Sequence, residues 1–141
     1  MVKTAKQIQS DVIALLRGSI LADNISGRIY RDGYRPRNSA QEDCVVIFTA
    51  GITGEIQTGI VTLNIFIPDI DSGSGAWVED GHRAAEIEDI ANQWCAALTA
   101  DKSDYLFSLN STIRTLKDHE IAQHFVVVQL KYKLLDTNNN N

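Results

Sequence analysis

Apolar and polar positions alternate along the chain in short periodic segments, two with the spacing of helices and the rest with that of strands. Behind Thr4-Ala5-Lys6-Gln7, a capping-box sequence, Ile8, Val12, Leu15, Leu16 and Ile20 recur at intervals of three and four. This predicts a helix with one buried face, running to about Ala22. Asp23-Asn24 ends it, and residues 26–30 predict a short strand before an Asp32-Gly33 turn. Residues 42–50 and 57–69 read as strands that the Gly51-Ile52-Thr53-Gly54 turn joins into an antiparallel hairpin. The second is the expected central strand: Val61, Leu63, Ile65 and Ile67 fall on one face, and Thr58, Ile60, Thr62, Asn64 and Phe66 on the other. Burying those four aliphatic side chains contributes about 1.5–3 kcal/mol each, as an upper bound. Pro68, which lacks an amide hydrogen, closes the run.

Residues 69–81 are a stretch of Gly, Ser and acids, longer than a minimal connection. From about His82, the positions Ile87, Ile90, Ala91, Trp94, Cys95 and Leu98 predict a second helix with Asp80 as its N-cap. Residues 105–116 alternate as one half-buried strand with Tyr105, Phe107, Leu109 and Ile113 inward. Residues 117–120 turn the chain, and 123–135 form a last strand whose core face is Val126, Val128, Leu130, Tyr132 and Leu134. The expected fold class is therefore α+β, a mostly antiparallel sheet of 4–5 strands with two helices packed on one face. The expected organisation is a single α+β domain over residues 1–136 and a disordered polar tail over 137–141.

Composition narrows the picture. A chain of 141 residues, 44% hydrophobic and 22% charged, is suited to one ordinary core. The net charge of −5 speaks against a general nucleic-acid binder driven by phosphate neutralisation. Against that acidic background Arg28, Arg31, Arg35 and Arg37 stand close together in sequence. They read either as a solvated loop or as a cationic rim for a phosphate backbone or acidic partner, which requires them to converge in space. No stretch approaches the roughly 18 apolar residues of a membrane span, so no membrane partner is expected. Polar Gln7, Gln9, Ser10 and Asp11 interrupt any signal-peptide core, which leads to the expectation of a cytoplasmic, reducing setting with Cys44 and Cys95 as packed thiols.

The sequence holds little that resembles a reaction centre. His119 and His124 lack the spacing of zinc ligands. Asp69-Ile70-Asp71-Ser72-Gly73 begins like a calcium loop and departs at its fifth and sixth positions, Gly73 and Ser74. Gly73-Ser74-Gly75 does not complete a nucleophile elbow, and no glycine cluster carries the lysine of a phosphate loop. Cys44 and His124 are the best nucleophile and base on offer, but Cys44 sits inside an apolar strand. No catalytic residue, metal or cofactor is expected.

An N-terminal helix, Gly27-Arg28-Ile29-Tyr30 leading into an Arg-Pro loop, a hairpin opened by Glu42-Asp43-Cys44-Val45-Val46, a second helix and the closing Phe125–Leu135 strand give a familiar layout. From about Ile8 to Leu135 it resembles the tail terminator, or tail completion, proteins of long-tailed bacteriophages. The resemblance implies a non-enzymatic virion protein of the tail or neck, assembled in the host cytoplasm as a homo-oligomeric, hexameric ring. Such a ring would end polymerisation of the tail tube at its head-proximal end and join the tail to the head connector. Its partners would be further copies of itself, the tail tube protein and the head connector protein, with DNA only as passing cargo. No contact residue transfers by position, so the candidate interface comes from the residue pattern. Ile60, Phe66, Phe125 and Val127 lie on the non-core faces of two strands, and Asp69, Asp71 and Trp77 lie in the long loop. A strand edge or loop covering these apolar residues is the competing reading. A head-closure or neck protein, or a small-molecule-binding α+β module, are the competing functions.

Overall fold

The computed structural model describes residues 2–99 and 104–135, and the expected 137–141 tail lies outside them. Helix α1 (Ala5–Leu16) opens on the expected capping box. The Gln7 amide donates to Thr4 Oγ1 at 3.3 Å, and the Thr4 amide donates to Gln7 Oε1 at 2.8 Å. The helix stops earlier than the periodicity suggests. Gly18 takes a left-handed φ of +71°, and Ser19 starts a separate short helix α2 (Ile20–Asp23) by accepting from the Ala22 amide. The break moves the end of the apolar stripe: Ile20, expected inward, is 44% exposed, and Leu21 is fully buried with Ile8, Val12 and Leu16 instead.

Strand β1 (Ile29–Arg31) pairs in parallel with β2 (Cys44–Ile52), which was not foreseen. Parallel neighbours require a crossover, and the arginine-rich segment 32–43 supplies it. Strand β2 forms the expected antiparallel hairpin with β3 (Gln57–Pro68), with a bulge between Phe48 and Ala50. On β3, Val61, Leu63, Ile65 and Ile67 are all buried, as the alternation predicts.

The stretch expected to be loop contains a two-stranded ribbon, β4 (Ile70–Asp71) and β5 (Trp77–Val78), turned by Gly73 and Gly75 at positive φ. Asp80 then accepts from the Arg83 amide at 3.1 Å and starts α3 (Gly81–Thr99). The single strand expected over 105–116 is two, β6 (Tyr105–Leu109) and β7 (Arg114–Lys117), both paired with β8 (Gln123–Leu134). Residues 110–113 form an insertion opposite Val128 and Gln129. The Gln129 carbonyl and side-chain oxygens accept from Asn110, holding the insertion in place.

The sheet has six strands in the order β1-β2-β3-β8-β6, with β7 also on β8, and only β1 is parallel. The inward residues of β2, β3, β6 and β8 share one buried cluster with Ile8, Val12 and Leu16 of α1 and Ala84, Ile87 and Trp94 of α3. Both long helices therefore cover the same face. The fold class is α+β, mostly antiparallel, with a six-stranded main sheet where 4–5 strands were expected, a separate two-stranded ribbon and one more short helix.

Candidate functional site

The face of the sheet turned away from the helices carries most of the candidate interface, and strand register orders it into rows. At one end Phe66 of β3 lies opposite Phe125 of β8, which lies opposite Leu116 of β7. Next come Tyr30, Val45, Asn64, Val127 and Arg114, then Ile47, Thr62 and Gln129. At the far end stand Ala50, Ile60, Lys131 and Ser108, and finally Ile52, Thr58, Lys133 and Leu106.

These rows differ in how they are covered. Phe66 and Phe125 pack ring to ring at 5.4 Å, and the Arg35 guanidinium lies 4.0 Å from the centre of the Phe66 ring. The crossover segment thus folds over this end, so a loop does cover Phe66 there. Val45 and Val127 are buried by their neighbours, and Ile60 is half-buried. The far end is the open one, where Ile52 is 72% and Leu106 54% exposed.

The four arginines do not converge. Arg35 leaves the cationic rim altogether: its side chain is only 10% exposed, and its Nε donates to Asp43 Oδ2 at 2.9 Å. Its Nη2 donates to the Ser39 and Gln41 carbonyls and to Gln123 Oε1. Asp43 is buried and accepts as well from the Arg28 amide and the Ser39 hydroxyl, so both charges are hydrogen-bonded as burial demands. Arg31 points to the opposite side of the sheet, where it donates to Gln9 Oε1 and Ser10 Oγ of α1. Arg28 and Arg37 are exposed.

The ribbon β4–β5 is exposed along its length, with Trp77 at 61%, Ile70 at 46% and Val78 at 40%. Register puts Ile70 with Val78 on one side and Asp71 with Trp77 on the other. Asp69 is not a free interface residue. It is buried at the root of the ribbon, where its Oδ1 lies 2.7 Å from His124 Nδ1. His124 Nε2 lies 3.6 Å from Glu79 Oε2, so one ring on β8 touches both stems of the ribbon.

Nothing in the structure makes a nucleophile of Cys44, whose thiol is buried and pushed up to about 12 by desolvation and then by Asp43. Cys95 is likewise buried, and desolvation raises it to about 11. A groove of about 300 Å³ between α3 and β6 is lined by Cys95, Phe107, Leu109 and Leu130 together with Asn92 and Ser108. Among the described residues no group of three or more His, Cys, Asp or Glu side chains is placed to hold a metal ion, and no helix is long and apolar enough to cross a membrane.

Sequence reasoning passed over Leu106 and Ile52, which join Lys133 only through strand register. The alternation Lys131-Tyr132-Lys133 was the available signal, since a buried Tyr132 forces both lysines outward. No family model matches the chain, and no curated protein matches it.

Proposed function

We propose that this chain is a non-enzymatic virion protein that assembles as a homo-oligomeric, hexameric ring at the head-proximal end of a phage tail tube. There it ends tube polymerisation and joins the tail to the head connector, with DNA passing through the opening. The reading begins from the likeness in element order to the tail terminators. The observation that carries it further is surplus apolar surface at both ends of one sheet: the ribbon at one end, with Trp77 exposed, and Ile52 and Leu106 at the other. A monomer gains nothing from leaving such groups in water, whereas a subunit interface requires them.

A head-closure or neck protein would present the same surfaces to a different neighbour. The groove beside Cys95 favours a small-molecule module less well, because its lining is nearly all apolar and offers few polar groups to orient a ligand. Native mass spectrometry and negative-stain imaging of the full chain, alone and with purified tail tubes, test the proposal. Rings on the tube end are expected. A protein that stays monomeric at every concentration and leaves tube ends bare refutes it.

A further inference from the structure

The exposed ribbon joins apolar and acidic groups, and the open end of the sheet joins apolar and basic ones. The segment 69–81 has no lysine or arginine, and of its acids Asp71 and Glu79 are exposed, Asp69 being buried against His124 and Asp80 capping α3. Asp71 shares a side of the ribbon with Trp77, so an indole and a carboxylate project together. At the other end of the sheet, Thr58, Leu106, Ser108, Lys131 and Lys133 line a depression of about 270 Å³, with room for one indole side chain. Leu106 gives it an exposed apolar group, and Lys131 and Lys133, both exposed, give it positive charge. Neither ammonium group has an ion-pair partner among the described residues.

The two surfaces cannot meet within one molecule. Strand β3 places Thr58 beside the depression and Pro68 at the root of the ribbon. At about 3.4 Å per residue they lie roughly 34 Å apart. We propose that the β4–β5 ribbon of one copy docks in the Leu106–Lys131–Lys133 depression of the next, with Trp77 on Leu106 and Asp71 against the lysines. Unlike patches on the two partners make the contact heterologous, which propagates head to tail and closes into a ring when the rotation between copies allows. This contact rests on the ring reading above and names the surfaces that would build it. Electrostatic matching sets the register, and the desolvated indole contributes most of the affinity.

The test uses the full chain in sedimentation velocity at moderate salt, with tail tubes added if assembly needs them. Trp77→Ala, Asp71→Lys and the pair Lys131→Glu with Lys133→Glu alter exposed side chains, and an unchanged urea midpoint shows that each variant folds. Each is expected to weaken assembly at least about tenfold. Mixing Asp71→Lys protein with Lys131→Glu/Lys133→Glu protein leaves one wild-type ribbon–depression contact, enough for dimers alone. Recovery of larger assemblies is expected, because it also needs the reversed ribbon to pair with the reversed depression, and a mixture that stops at dimers counts against the charge pairing. Wild-type rings that all the variants match overturn the ribbon contact and leave the ring reading intact. Variants that self-assemble normally but lose the tube place the ribbon on another protein and also overturn it. A wild-type chain that never assembles, with or without tubes, overturns both.

Discussion

Replacing Asp43 by Asn separates a buried charge from its counter-ion while changing almost nothing in volume. In the native protein the Asp43 side chain is 2% exposed and that of Arg35 10%, so water screens neither partner effectively. Asparagine can still accept from the Arg28 amide, but its other end becomes a donor facing the Arg35 Nε–H. The guanidinium keeps three weaker acceptors, the Ser39 and Gln41 carbonyls and Gln123 Oε1, and the face of Phe66. Removing one member of a buried pair typically costs about 3–5 kcal/mol, and the surviving acceptors bring the expectation to about 3 kcal/mol. With a urea m-value of about 2 kcal/mol per molar, the unfolding midpoint should fall by roughly 1.5 M with m unchanged. Arg35→Met in the Asp43→Asn background removes the orphaned charge, and the double variant should recover about 1–2 kcal/mol relative to additivity. A midpoint shift below about 0.3 M, or a fully additive cycle, refutes the view that this pair fastens the crossover to the sheet.

Three further outcomes follow from the same physical reasoning. His124→Ala leaves Asp69 buried without its ring partner, so a loss of about 1–3 kcal/mol is expected together with faster amide exchange across residues 70–78; unchanged exchange there would show that the ribbon is held by other means. Gly59→Ala would put its methyl group onto the Ala50 carbonyl oxygen and the Tyr132 side chain, so a drop in Tm of several degrees or failure to fold is expected, and a wild-type Tm would contradict the close strand approach. The Glu42 carboxyl is held below its ordinary 4.5 by the Arg83 hydrogen bond, against burial and with help from the Ser26 amide. Its folded value is therefore depressed: the pair's contribution is complete above about pH 4.5 and fades as pH falls through the lower value. Glu42→Gln should flatten, without abolishing, the acid-side fall in Tm, since Asp118 is also held low, against burial, by Gln123 and backbone amides; superimposable acid profiles would be the contrary result.

The elements governed by local periodicity were legible in the sequence. Alternation on 57–69 and 123–135 placed the helix-facing core residues of β3 and β8 correctly, because a strand buried on one face has no other way to sort its side chains, while Val127, expected on the open face, is buried by its neighbours there. The Asp80 cap and the stripe of α3 were legible for the same reason. What escaped were features decided by distant partners. The four residues 110–113 stand against two on β8, an insertion that preserves the two-residue parity, so the break between β6 and β7 leaves no mark on the alternation. Arg35 looked like its neighbours in a polar stretch, and its burial follows from Gln123, 88 positions away, as much as from nearby Asp43. On the candidate interface, Phe66 and Phe125 were sorted to the correct face, yet the loop that covers Phe66 is the one read as either a solvated loop or a cationic rim. The depression at Lys131 and Lys133 required the β6–β8 register, which no local pattern encodes.

The margins of the sheet carry a consequence of their own. One margin is the three-residue β1 and, beyond it, residues 47–52 of β2, which a bulge between Phe48 and Ala50 interrupts; the other is broken between β6 and β7 at 110–113. Neither offers a long, flat row of free amides and carbonyls on which another chain can template, the usual route to uncontrolled sheet growth. Main-chain pairing between copies along these margins meets only short or interrupted rows, which disfavours it. Specific association is then left chiefly to side chains, where point substitutions can tune it.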